Sequence, residues 1–269
     1  MIQLTAFTKS YTSRKSAPFA VQDFSMLCQT GEITGILGLN GAGKTTILKA
    51  ITARHFATSG EVLVNGINAS ENAETVRSIT GFVAEEPNLP GEYTVAEYLN
   101  MVAELHGINS TQINTDKHGS KEKSSSASIR LARCATHPRL IDQLSLEELF
   151  PKKIKTLSKG QRERVNFAQA LIHNPSVLVL DEPASGLDPA QILKMRSLVK
   201  SLKADHTILL STHLMQEVEA LCDKVYIIHE GRLAASGTAD EIVAQFNCKN
   251  LEEAFFKITS TSDIVGEQK

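Results

Sequence analysis

The sequence predicts an α/β protein with a mainly parallel sheet, an antiparallel β subdomain near the start and a helical insert in the middle. Three observations carry this. From Leu157 onward, short apolar runs alternate with segments of helical period, the pattern of strands joined by crossover helices. The opening residues are dominated by strand-like runs and tight turns, and the stretch from about 94 to 175 is mostly helical in pattern. At 269 residues, with 42% hydrophobic and 22% charged, the chain can bury a sizeable core.

The elements follow in order. Residues 2–8 and 19–27 read as strands around a polar turn near 10–16, and the apolar run Ile33–Leu37 reads as a buried strand. A glycine-rich loop precedes a helix from Thr45 to about Arg54, and Glu61–Val64 with Asn65-Gly66 reads as a strand and tight turn. Ile79–Ala84 is a further strand. Thr94 and Glu97 have capping-box spacing, opening a helix to His106 that Gly107 stops. Residues 108–128, with their Ser/Lys run, lack periodicity and read as a mobile insertion. Helical patches are expected at 129–136 and 145–150. A helix over 161–173 ends at Asn174-Pro175, and Val177–Leu180 is a buried strand. Asp188, Pro189 and Gln191 open a helix to about Leu202. His206–Leu210 is a strand and 213–222 a helix. Strands at Lys224–His229 and Arg232–Ala235 flank Glu230-Gly231, Thr238 and Glu241 cap another helix, and Asn250–Ile258 is a short terminal helix. The reading is one domain over 1–258 and a flexible tail over 259–269.

Twenty-eight basic against thirty acidic residues give a net charge of −2, with no global attraction to nucleic acid. No run approaches the roughly 18 apolar residues of a membrane-spanning helix, and the N-terminus lacks the pattern of a secretory signal. Cys28, Cys134, Cys222 and Cys248 are scattered without a C-x-x-C pair, which argues against zinc and fits a reducing compartment.

Gly38-Leu39-Asn40-Gly41-Ala42-Gly43-Lys44-Thr45 fits G-x-x-x-x-G-K-[ST], after a strand and opening a helix. Glycines let backbone N–H groups turn around phosphate oxygens, and the helix N-terminus adds positive potential. Lys44 is placed for the β- and γ-phosphates and the Thr45 hydroxyl for Mg²⁺. The predicted fold is thus the P-loop nucleoside triphosphate hydrolase fold. Asp181 and Glu182 end the buried strand at 177–180, and ligands bind beyond the carboxyl ends of parallel strands. Asp181 can hold Mg²⁺ through water, and Glu182 can act as general base toward a water in line with the γ-phosphate. Taken alone, Asp181 could merely cap its loop.

Leu157-Ser158-Lys159-Gly160-Gln161, between these motifs, resembles the L-S-G-G-Q signature of ABC-type ATPases, with Lys159 replacing the first glycine. Ser158 can cap the helix that follows. The resemblance covers roughly residues 1–258 and implies an ATP-hydrolysing subunit binding ATP and Mg²⁺. It assigns Gly38, Asn40, Gly41, Ala42, Gly43, Lys44, Thr45 and Thr46 to nucleotide binding, with Tyr11 stacking on adenine. Ser158, Gly160 and Gln161 would meet the γ-phosphate held by a second ATPase subunit. Lys44, Glu182 and His213, which follows Ser211-Thr212, would be catalytic, and Ser185-Gly186-Leu187-Asp188 would cross the interface of the pair. Glu85 stands where the family usually has glutamine. A carboxylate can ligate Mg²⁺ beside Thr45 and Asp181, but it does not donate as an amide does.

The C-terminal segment Asn250–Ile258 resembles the end of ATPases paired with exporter-type membrane subunits. The implied partners are membrane-spanning subunits on separate chains, contacted near Glu85 and residues 94–156. The implied location is the cytoplasmic face of the membrane. The alternatives are a soluble ABC ATPase acting on ribosomes or nucleic acid, or a subunit that binds ATP and barely hydrolyses it. The first is disfavoured by a single motif set without coiled-coil or zinc insertions, the second by the presence of both Glu182 and His213.

Overall fold

The computed structural model describes residues 1–12, 19–108 and 138–266, with side chains described as far as residue 260. Two sheets organise it. The first is antiparallel, in the order β2-β1-β4-β5, from β1 (Ile2–Lys9), β2 (Val21–Cys28), β4 (Ser59–Val64) and β5 (Ile67–Asn68). The second has the order β10-β9-β3-β8-β7-β6. It comprises β3 (Ile33–Leu37), β6 (Thr80–Val83), β7 (Val177–Asp181), β8 (Thr207–Thr212), β9 (Lys224–His229) and β10 (Arg232–Gly237). Every pairing in it is parallel except β9 with β10.

The central strands are buried on both faces, so their side chains alternate between two cores. On β7, Leu178 and Leu180 enter the core beneath the helical insert, whereas Val177 and Val179 enter the core shared with the antiparallel sheet. Helix α1 (Lys44–Ile51) fills that second core with Ile47, Leu48 and Ile51. The insert contains α3 (Val95–Leu105), α4 (Pro138–Gln143) and α5 (Lys159–Leu171), and α6 (Pro189–Leu202) follows β7. A third core joins Leu37, Val225 and Ile227 to α7 (Met215–Leu221), α8 (Ala239–Gln245) and α9 (Leu251–Gly266).

Local signals in the sequence act as expected. Thr94, Ser158 and Thr238 each form a full capping box, and Asp188 caps α6 through its bond from the Gln191 N–H. Three expectations are corrected, and one helix is additional to them. Residues 145–150 form turns rather than a helix. Helix α1 ends at Ile51, because Ala53 adopts φ +51. A short helix, α2 (Ala73–Ser78), precedes β6. The terminal helix continues past Ile258 to Gly266, beyond the point where the tail was expected to start. The insertion read over 108–128 lies outside the described residues apart from Ile108, and the patch at 129–136 lies wholly outside them. No helix of the described residues is long and apolar enough to cross a membrane.

Candidate nucleotide site

Parallel register builds the site. Leu37 pairs with Thr212, and Asp181 pairs with Ser211, so the carboxyl ends of β3, β7 and β8 finish at one edge. Gly38 leaves β3 at that edge and the loop turns back into α1. Gly43 has φ +110, and a Cβ there would stand 2.7 Å from the Ala20 carbonyl oxygen. Only glycine accommodates both the backbone angle and the close approach. A cleft of about 180 Å³ opens above the loop, lined by Asn40, Gly41, Lys44, Thr45, Glu85 and Glu182 among others.

The charged groups at the cleft are buried and coupled. The Lys44 ammonium donates to the Gly38 carbonyl at 2.7 Å and lies 3.1 Å from Glu182 Oε1. Both side chains are only 6% exposed. Glu182 Oε2 lies 2.8 Å from His213 Nδ1 and accepts from the His213 backbone N–H at 3.3 Å. One carboxylate therefore bridges a lysine and a histidine. The Glu182 backbone stands at φ +48, a left-handed conformation that a side chain tolerates at some cost. Its N–H is held by the carbonyl and the hydroxyl of Ser211. This pins the strained residue at the strand end.

Asp181 accepts a 2.6 Å hydrogen bond from Ser211 Oγ. Burial raises its pKa, with the Glu182 charge adding to the rise, while hydrogen bonds from Ser211 and Thr45 and the Lys44 charge oppose it. A divalent cation would reverse that penalty. Thr45 beside Asp181 supplies the hydroxyl-plus-carboxylate oxygens that suit Mg²⁺, which keeps several waters and takes one or two carboxylates.

The remaining expected residues distribute as follows. Tyr11 is 54% exposed, edge-on to His55, with its hydroxyl 3.2 Å from Thr46 Oγ1. It therefore stands next to the start of α1. Glu85 borders the cleft and accepts from Ser185 Oγ at 3.4 Å. Ser158, Gly160 and Gln161 do not join the Lys44 cleft. They border a separate cavity of about 420 Å³ between α5 and α6. Reasoning from sequence missed Ser211, whose hydroxyl donates to the Asp181 carboxylate and accepts from the Glu182 backbone N–H, and Asn166, whose amide donates to the Ala84 carbonyl at 2.8 Å just before Glu85. A hydroxyl two residues before a candidate switch histidine was the available signal for Ser211. Asn166 had none, being one polar residue on a helix.

Comparison with known proteins agrees with this geometry. The ABC transporter family matches residues 21–185. The ABC transporter ATP-binding protein NatA of Bacillus subtilis (strain 168) is 32% identical over 257 residues, covering 95% of this chain and 96% of that protein. The Nod factor export ATP-binding protein I of Rhizobium meliloti is 32% identical over 253 residues, covering 93% of this chain and 68% of that protein. A solved structure of an ATP binding subunit of an ABC transporter superposes with a TM-score of 0.80 at 28% identity, covering 96% of this chain and 99% of the other. The chain belongs to the ABC transporter family, as an ATP-binding, ATP-hydrolysing subunit.

Proposed function

We propose that this subunit powers an ABC exporter by closing on a second ATPase subunit around Mg·ATP and reopening after hydrolysis. The observation that carries the reading is Glu182. Its buried carboxylate lies between the Lys44 ammonium and the His213 imidazole at the mouth of the phosphate loop. Lys44 and the loop N–H groups hold the β- and γ-phosphates. Thr45 and Asp181 would hold Mg²⁺, with Glu85 at the rim, and the bound ion would supply neutralisation of charge on the phosphoryl group. Glu182 accepts the proton of the attacking water, and His213 orients Glu182 and reaches toward the γ-phosphate. Tyr11 covers the adenine side.

Ser158 and Gln161 occupy each other in their capping box, leaving the first N–H groups of α5 to face the nucleotide of the opposite subunit. On this reading the partners are membrane-spanning subunits on separate chains, and the subunit works on the cytoplasmic face; no described helix is itself long and apolar enough to span a bilayer. Export is favoured by the Nod factor export relative. The test is affinity purification of the tagged chain from detergent-solubilised membranes of its own host. A companion chain with spanning helices that stimulates ATP turnover is expected. Co-purification with ribosomes or nucleic acid instead would overturn the reading.

A further inference from the structure

We propose that Lys159 is a positioning residue that seats the start of α5 on the Ser185–Asp188 loop of its own subunit, so that the two segments approach the facing nucleotide as one unit. This rests on the paired-subunit reading above. Two side chains cross between the segments in opposite directions. The outer atoms of Lys159, from Cδ to the ammonium, lie over Gly186, in the space where a Cβ on that glycine would stand. The Gln191 amide, in the first turn of α6, lies over Gly160 in the same manner. Each segment thus offers a glycine whose open face the other's side chain fills. Gly186 has φ +67, so a side chain there would be strained as well as crowded.

Electrostatics explains why the lysine turns sideways. It is the first residue of α5, where the helix dipole disfavours a cation. Glu163, one turn on and 9% exposed, attracts it: the Lys159 charge pulls the Glu163 carboxyl down against the upward push of burial. The exposed Lys159 side chain thus extends toward the Ser185–Asp188 loop, with its ammonium over Gly186. The loop it rests on is bonded onward, from Ser185 Oγ to Glu85 Oε1 at 3.4 Å. Loss of the seat should slow turnover more than it weakens nucleotide binding.

The experiment is steady-state ATP turnover against ATP concentration for the full chain and its Lys159→Ala, Lys159→Arg, Gly186→Ala and Lys159→Ala/Gly186→Ala variants. Light scattering of Glu182→Gln with Mg·ATP runs alongside. Lys159→Ala is expected to lower kcat about fivefold with KM within about twofold, on the scale of contact coupling energies. Lys159→Arg should retain most of the activity. In the double variant the two losses should overlap, falling short of their product by about fivefold. Multiplicative losses would overturn the seat. A raised KM in Lys159→Ala would overturn it too, placing the ammonium on a phosphate instead. If Gly186→Ala does not fold, the contrast between Lys159→Ala and Lys159→Arg decides. Pairing of Glu182→Gln with multiplicative losses would refute only the seat, whereas failure of Glu182→Gln to pair would refute the paired-subunit reading beneath it.

Discussion

Replacing Glu163 by glutamine should stabilise the protein in alkaline solution and leave its stability nearly unchanged in acid. Glu163 is 9% exposed on α5, and Asn166 Nδ2 donates to its Oε1 at 3.3 Å. Burial pushes its carboxyl from 4.5 up to about 7, with the Asn166 hydrogen bond and the Lys159 charge pulling the other way. The folded state therefore holds this proton more tightly than the unfolded chain. Stability falls as pH rises from 4.5 toward 7, and the full penalty applies above about 7. At about 1.36 kcal/mol per unit, the gap corresponds to about 3 kcal/mol at most. Glutamine keeps an oxygen to accept from Asn166 and carries no charge to desolvate. Urea unfolding of both proteins at pH 5 and pH 8.5 measures this. The variant should gain up to about 3 kcal/mol at the higher pH and much less at the lower. A difference that does not change with pH, or a less stable variant at pH 8.5, would refute the reasoning.

Other outcomes follow from the site and the insert. Lys44→Ala should weaken ATP binding and also destabilise the nucleotide-free fold by about 3–5 kcal/mol, because it strands the buried Glu182 carboxylate. Adding Glu182→Gln should recover most of that stability, as denaturant unfolding of the single and double variants would show. Glu85→Gln should preserve nucleotide binding but shift the Mg²⁺ dependence of turnover, since a carboxylate at the cleft rim is best tolerated beside a bound cation. Superimposable Mg²⁺ titrations would remove Glu85 from the metal site. Thr94→Ala removes an N-cap whose side chain accepts from the Glu97 N–H at 3.2 Å. It should cost about 1 kcal/mol in urea unfolding.

What was legible in the sequence was local. The phosphate loop, the capping residues Thr94, Ser158, Thr238 and Asp188, and the buried strand ending in Asp181-Glu182 each depend on neighbours in the chain. Contacts closed by the tertiary fold were not legible. Ser211 reaches Asp181 only because β8 lies beside β7 in a register that pairs the two residues. The Asn166 bond to Ala84 and the Lys159 seat on Gly186 join segments far apart in sequence. Weak local signals misled in both directions. Helix α2 is six residues long and its Asn72 makes no side-chain cap, so it left little trace. Leu146, Leu149 and Phe150 have helical spacing, yet they bury themselves from a run of turns. The Thr/Ser run after Ile258 reads as a fraying end, but Thr259 Oγ1 bonds back to the Phe255 carbonyl at 3.0 Å and α9 continues.

The central claim is that Glu182 activates water at a nucleotide held by Lys44 and the phosphate loop. Its most direct test measures Mg·ATP affinity and ATP turnover in parallel for the wild-type chain and Glu182→Gln. The variant should bind Mg·ATP at least as tightly as wild type while losing about 10²–10⁴-fold in turnover, the scale of a removed general base. Turnover close to wild type would contradict the assignment of Glu182 as the base. Loss of nucleotide binding would show that the carboxylate organises the pocket rather than the chemistry.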